Sequence, residues 1–290
     1  MTLAKKLNYI FWSSRPISWV NTAYPFAAAY LMVTRTIDLT LIVGTLFFLI
    51  PYNLLMYGIN DVFDYESDLR NPRKGGIEGA LLPKEIHRTI IWTAILSCVP
   101  FVLYLLAVGN LNSSLWLGLF IFTVIAYSVK NLRFKEKPVL DSITSASHFV
   151  GPMIFALALT NQDLSNPKIT AIIMAFTLWG MASHAFGAVQ DVKADREGDI
   201  SSIATYFGAR NTTRVALVMY LAAGFYLVTL GWPANLVAIA AIPYVGILIP
   251  HLNITDETCE TANQGWKRFI WLNFFAGAVV SMITIWAAFF

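Results

Sequence analysis

Asn60, Asp61, Asp64 and Asp68 form an N-D-x-x-D-x-x-x-D pattern at the end of the apolar run LIVGTLFFLIPYNLLM. Steps of three and four residues set such groups on one face of a helix. Tyr57 and Asn53 continue that face back into the apolar run. A second series lies in HAFGAVQDVKADREGD, where Asp191, Asp195 and Asp199 are spaced by four, with Gln190 and His184 earlier on the same helix. Carboxylates gathered at this density repel one another unless cations neutralise them. Magnesium suits such a set, because it takes a few carboxylates, keeps waters and completes its shell with phosphate oxygens. Two acidic series at matching positions therefore predict a magnesium-bridged diphosphate site, with Mg²⁺ as cofactor.

A diphosphate also attracts protein cations. Candidates are Arg15, Arg73 and Lys74, and the group in YSVKNLRFKEK, where Lys130 and Arg133 stand out beside Tyr127. Positive charge in such loops has a second source, since membrane proteins keep Lys and Arg in cytoplasmic connections whatever their chemistry. Asp141, Ser145 and His148 make a further polar stripe, open to two readings: part of the site, or hydrogen bonding between helices.

These groups need elements to position them. The chain has 290 residues, 57% hydrophobic and 13% charged, against roughly 25% charged in soluble domains. Several runs approach the ~20 apolar residues that cross a bilayer. Nine helices are predicted, near 17–34, 40–60, 88–108, 113–130, 140–160, 169–190, 212–231, 234–250 and 268–289. With the N-terminus and the longer, charged loops on one side, only Arg35 and Lys168 of the 20 basic residues fall on the other. The positive-inside bias then puts the N-terminus and both acidic series in the cytoplasm and Phe290 outside. Lys5, Lys6 and the later AAA imitate a signal peptide, but Arg15, Pro16, Asn21 and Pro25 interrupt it, so a retained first helix is expected. Cys98 and Cys259 read as a buried apolar residue and a free loop thiol. Without a long basic run, nucleic acid is not a partner.

At these motifs the chain resembles the UbiA-type superfamily of intramembrane prenyltransferases. Two stretches, SSRPISWVNTAYPF and PYNLLMYGINDVFDYESDLRNPRKGG, look like bacterial lycopene elongases of C50 carotenoid synthesis. The resemblance implies an all-α membrane protein, nine transmembrane helices around a central cavity, with a cytoplasmic cap formed by the motif loops. It implies one domain over residues 1–290, a weak two-part repeat with motifs at 60–68 and 191–199, in the cell membrane. Asn60, Asp64, Asp68, Asp191, Asp195 and Asp199 would hold Mg²⁺, with Asp61 in support, and Lys130 and Arg15 would contact the diphosphate. Asn60, Asp64, Asp191 and Asp195 would be central to catalysis. The implied donor is dimethylallyl diphosphate and the implied acceptor lycopene, with water capture giving a hydroxylated five-carbon extension; carotenoid-cyclase subunits are implied partners. Two other readings stay open: prenylation of an aromatic, quinone-precursor or other lipid acceptor, and cation-coupled transport. The second would place ionisable groups near the bilayer midplane, whereas here they crowd one face.

Overall fold

The computed structural model describes residues 1–69 and 81–289. Arg73 and Lys74, the first part of the expected cap and Phe290 lie outside these residues. The chain divides into two compact units, Met1–Phe134 with His148–Asp163 and Lys135–Ser147 with Leu164–Phe290. All regular structure among the described residues is helical.

Among the described residues, eight helices are long and apolar enough to cross a membrane: Leu39–Phe63, Lys84–Val108, Leu111–Ser128, Leu140–Leu159, Pro167–Val189, Ala209–Val228, Ala234–His251 and Trp271–Ala288 within Asn263–Phe289. They match the expected segments from the second to the ninth. The expected first span is present as Trp19–Thr34, which has only 16 residues, about 24 Å at 1.5 Å per residue. Ahead of it stands a helix that the hydropathy pattern did not separate, α1 (Leu3–Ser13), started by Thr2, whose side chain accepts from the Lys5 N–H.

In the first unit, Leu39–Phe63 begins on Asp38, whose Oδ1 accepts from the Leu41 N–H at 2.8 Å while Oδ2 accepts from the Tyr30 hydroxyl at 2.8 Å. Pro51 brings no N–H to the helix, and the helix is interrupted at Ile50. Asn53 repairs the carbonyls before the interruption: its fully buried Nδ2 lies 2.8 Å from the Phe48 oxygen and 3.0 Å from the Leu49 oxygen. The same atom donates to Thr22 Oγ1 at 2.6 Å. Asn53 is thus a structural amide rather than the membrane end of an acidic face. Around it, the Phe26 ring lies 5.2 Å from that of Phe48 and 5.9 Å from that of Phe155. Gly44 leaves the room that the Phe26 ring fills.

In the second unit, Phe186, Tyr220 and Tyr244 are buried together with Cys259. Cys259 is therefore a free thiol, as expected, but a buried one. Gly180 lets Pro167–Val189 approach residue 146 closely, since a Cβ there would meet the Ala146 Cβ at 2.9 Å and its Cα at 3.0 Å.

Candidate active site

The first acidic motif follows a π-helical segment, Leu54–Gly58, that leads into Ile59–Phe63. Asp64 ends that helix and Tyr65–Asp68 resumes it. The helical stagger survives the break, because the Asp64 N–H donates to the Asn60 oxygen (2.9 Å) and the Asp68 N–H to the Asp64 oxygen (2.8 Å). Asp61, Asp64 and Asp68 expose only 1%, 7% and 6% of their surface. Buried carboxylates demand compensating charge or hydrogen bonds. For Asp61 that charge is Arg15, whose Nη2 donates to Oδ1 at 2.7 Å. The guanidinium also lies over the Tyr57 ring, 4.7 Å from its centre. Burial pulls the Arg15 pKa down, but the Asp61 carboxylate outweighs it and holds the group above its ordinary range. Arg15, expected at a diphosphate, is thus engaged with Asp61. Arg133 approaches Asp64, with Nη2 3.7 Å from Oδ1.

Other first-unit candidates group around the end of Leu111–Ser128. Ser128 donates to Asn60 Oδ1 at 2.8 Å. Tyr127 meets the buried His148 edge-to-face, ring centres 5.2 Å apart. The helix ends at Ser128, with Val129 already extended, so Lys130 is exposed in the following turn and does not share a helical face with Tyr127. Beyond it the backbone turns sharply: Asn131 and Arg133 have φ of 77° and 38°. Such left-handed values are rare outside glycine, and they set the base from which Arg133 reaches Asp64.

The second motif departs from the expected continuous face. Pro167–Val189 ends before it, with Gln190 as its C-terminal cap, and a separate helix, Val192–Glu197, carries Asp195. Gln190 is tied elsewhere: Nε2 donates to the Gly187 oxygen at 2.9 Å and Oε1 accepts from Asn263 Nδ2 at 2.5 Å. Asp191 and Asp195 remain one turn apart, the Asp195 N–H donating to the Asp191 oxygen at 2.8 Å. Asp199 leaves this register. The Ile200 N–H closes on the Asp195 oxygen (2.8 Å) and the Asp199 N–H on the Arg196 oxygen (3.3 Å). That is a Schellman ending, which requires a left-handed residue, and Asp199 supplies it at φ 53°.

Further polar groups of the second unit hold its frame. Asp141 is buried, accepting from the Ser142 N–H and, through Oδ2, from the Ile203 N–H at 2.6 Å. Of the two readings of its stripe, Asp141 takes the interhelical one. Ser142, which the periodicity did not mark, meets His184 Nδ1 at 3.0 Å. Arg196 Nη1 lies 2.5 Å from Asp256 Oδ2, while Asp256 Oδ1 accepts from the Ala209 N–H at 2.7 Å. Burial raises the Asp256 carboxyl pKa, yet that amide and Arg196 together hold it below its usual range. No local pattern announced the Arg196–Asp256 pair, because its members are 60 residues apart.

Among the described residues, no three His, Cys, Asp or Glu side chains gather closely enough to hold a metal by themselves. Within each unit the acidic motif offers only oxygen donors: Asp64 and Asp68, buried one turn apart, in the first, and Asp191 and Asp195, one turn apart, in the second. That suits a hard cation satisfied by few carboxylates and completed by water and phosphate oxygens.

Residues 22–274 match the model of the UbiA prenyltransferase family. A lycopene elongase/hydratase from Corynebacterium glutamicum is 51% identical over 98% of each chain. A C(50) beta-cyclic carotenoids biosynthesis protein from Dietzia sp. is 52% identical over 97% of this chain, which spans 65% of the Dietzia protein's length. Among solved structures, a UbiA homolog from Archaeoglobus fulgidus bound to DMAPP and Mg²⁺ superposes with a TM-score of 0.66 at 18% identity, over 93% of this chain and 99% of that one. An apo UbiA homolog from Aeropyrum pernix K1 gives 0.64 at 16% identity, over 93% and 98%. Apolar helices of membrane-spanning length, the fold and the family match agree: this chain is an integral membrane protein of the UbiA prenyltransferase family.

Proposed function

We propose that the enzyme transfers a dimethylallyl group from its diphosphate to lycopene, extending the carotenoid by hydroxylated five-carbon units. The observation that carries this is the 51% identity, over 98% of both chains, with a lycopene elongase/hydratase. The buried carboxylates of the first motif and the half-buried Asp191 and Asp195 of the second add chemical support.

Asn60, Asp64 and Asp68 in the first motif, and Asp191, Asp195 and Asp199 in the second, would hold magnesium. When bound, the ion supplies positive charge against a departing pyrophosphate. Arg133 and Lys130 add protein charge to the same task. Arg15 pairs with Asp61 and, braced on Tyr57, fixes the helix that presents Asn60 and Asp64. As the carbon–oxygen bond of the donor breaks, an allylic cation forms and the lycopene double bond attacks it. The resulting tertiary cation takes up water and releases a proton. In this reading the reaction runs at the cytoplasmic face of the cell membrane, the side that the positive-inside bias predicts for the basic loops.

The test is expression in a lycopene-accumulating bacterium with mass analysis of the pigments. Pigments heavier by one or two hydrated five-carbon units are expected. Asp64→Ala or Asp195→Ala, each removing a carboxylate from the electrostatic machinery, lowers their formation at least about a hundredfold. Unchanged lycopene with the unsubstituted enzyme refutes the acceptor, and full activity in either variant refutes the assigned roles.

A further inference from the structure

Helix α1 reads LAKKLNYIFWS and divides its circumference three ways. Tyr9 and Ile10 pack on Leu82, Ile86 and Ile90, and Ser13 is buried. Lys5 and Asn8 lie on an exposed polar edge. The third sector is apolar and uncovered: Leu3, Leu7 and Phe11 expose 72%, 57% and 45% of their surface. Their steps of four keep them on one strip, about 80° wide at 100° per residue. Trp12, 53% exposed, stands toward the polar edge. The helix carries two lysines and no acid.

We propose that α1 lies in the headgroup plane of an anionic leaflet, with Leu3, Leu7 and Phe11 in the acyl region and Lys5 on lipid phosphates, while Lys6, half-buried at the packed sector, adds to the local positive charge. A bilayer is the partner that fits. The helix belongs to an integral membrane protein, an uncovered apolar strip beside lysines matches an anionic interface, and Trp12 suits the headgroup boundary. The consequence reaches the first acidic motif. After Ser13 the chain has only Ser14 before Arg15, so the seat of α1 sets the anchor from which Arg15 reaches Asp61. This inference does not depend on the acceptor.

The experiment uses the full chain in nanodiscs containing phosphatidylglycerol. An environment-sensitive fluorophore is attached at Leu7→Cys, Phe11→Cys or Asn8→Cys; Cys98 and Cys259 are buried and compete little for label. Lipids carrying a nitroxide on the acyl chain should quench positions 7 and 11 at least about twofold more than position 8. Replacing phosphatidylglycerol by phosphatidylcholine, or Lys5→Gln with Lys6→Gln, should reduce that quenching by about twofold or more. Equal quenching at positions 7 and 8, indifference to lipid charge, or disulfide crosslinking of Leu7→Cys between two copies would each overturn the proposal. Melting temperatures beside the unlabelled protein confirm that the variants remain folded.

Discussion

Arg15 meets three conditions at once: a left-handed backbone, the face of an aromatic ring and a buried carboxylate. Removing the charge breaks an ion pair on a buried carboxylate. Arg15→Met should therefore destabilise the protein by about 3 kcal/mol, read as a lowered midpoint in detergent melts. Adding Asp61→Leu should recover most of the loss, since two apolar groups replace a buried pair. Asp256 makes a smaller, pH-dependent contribution. Its folded-state pKa lies below the ordinary 3.8, so its stabilisation is present above that value and is lost as pH falls through the folded-state value. Asp256 is one-third exposed, and solvent screening keeps the effect to about 1 kcal/mol or less. Melts of the native protein and Asp256→Asn should differ at pH 6, and the difference should shrink as the pH falls below 3.8. The acidic groups themselves were legible from spacing alone. Their partners were not: Arg15 and Asp61 stand 46 residues apart, and composition makes every basic loop residue an equal candidate.

Among the elements, spans were easiest to recognise, since a long apolar run has few ways to satisfy its backbone in lipid other than as a helix. Breaks were harder. The ending at Asp199 depends on hydrogen bonds that a periodic pattern does not encode, and D-x-x-x-D-x-x-x-D fits an unbroken helix equally well. The separate helix Leu3–Ser13 was hidden because its apolar residues merge with the following span. Close approach is likewise silent in sequence until a neighbour is placed. Gly180 faces the Ala146 Cβ and Cα at 2.9 and 3.0 Å, where side chain and backbone have little freedom to yield. Gly180→Ala should cost about 1–3 kcal/mol by overpacking, whereas Gly118→Ala, with nothing near its added methyl, should be neutral or stabilising. Thermal melts of the two variants make the comparison.

Over the whole molecule, charge asymmetry predicts an orientation. It assigns Asp38 and Asp163 to the sparsely charged side and Lys135 and Lys137 to the basic one. Cysteines placed at 38 or 163 should react with an impermeant maleimide on intact cells. Those at 135 or 137 should react only after lysis, and the reverse pattern would invert the orientation. The fold was legible as a helix count and an alternation of loop lengths. Eight of the nine expected segments are long and apolar enough among the described residues, and the first is a helix of only 16 residues, Trp19–Thr34, a difference that hydropathy averages blur. The enzyme class followed from two short motifs, although most of the chain is apolar sequence that many membrane proteins would accept.

The widened turns at Leu54–Gly58 accommodate one more residue than an ordinary helix would over the same rise. Such an insertion rotates everything downstream by about a quarter turn while hardly changing how far the rod extends. Aim and length are thereby separated. A lineage could redirect Asn60 and its acidic neighbours by gaining or losing a single codon here, without refitting the segment to the thickness of its lipid.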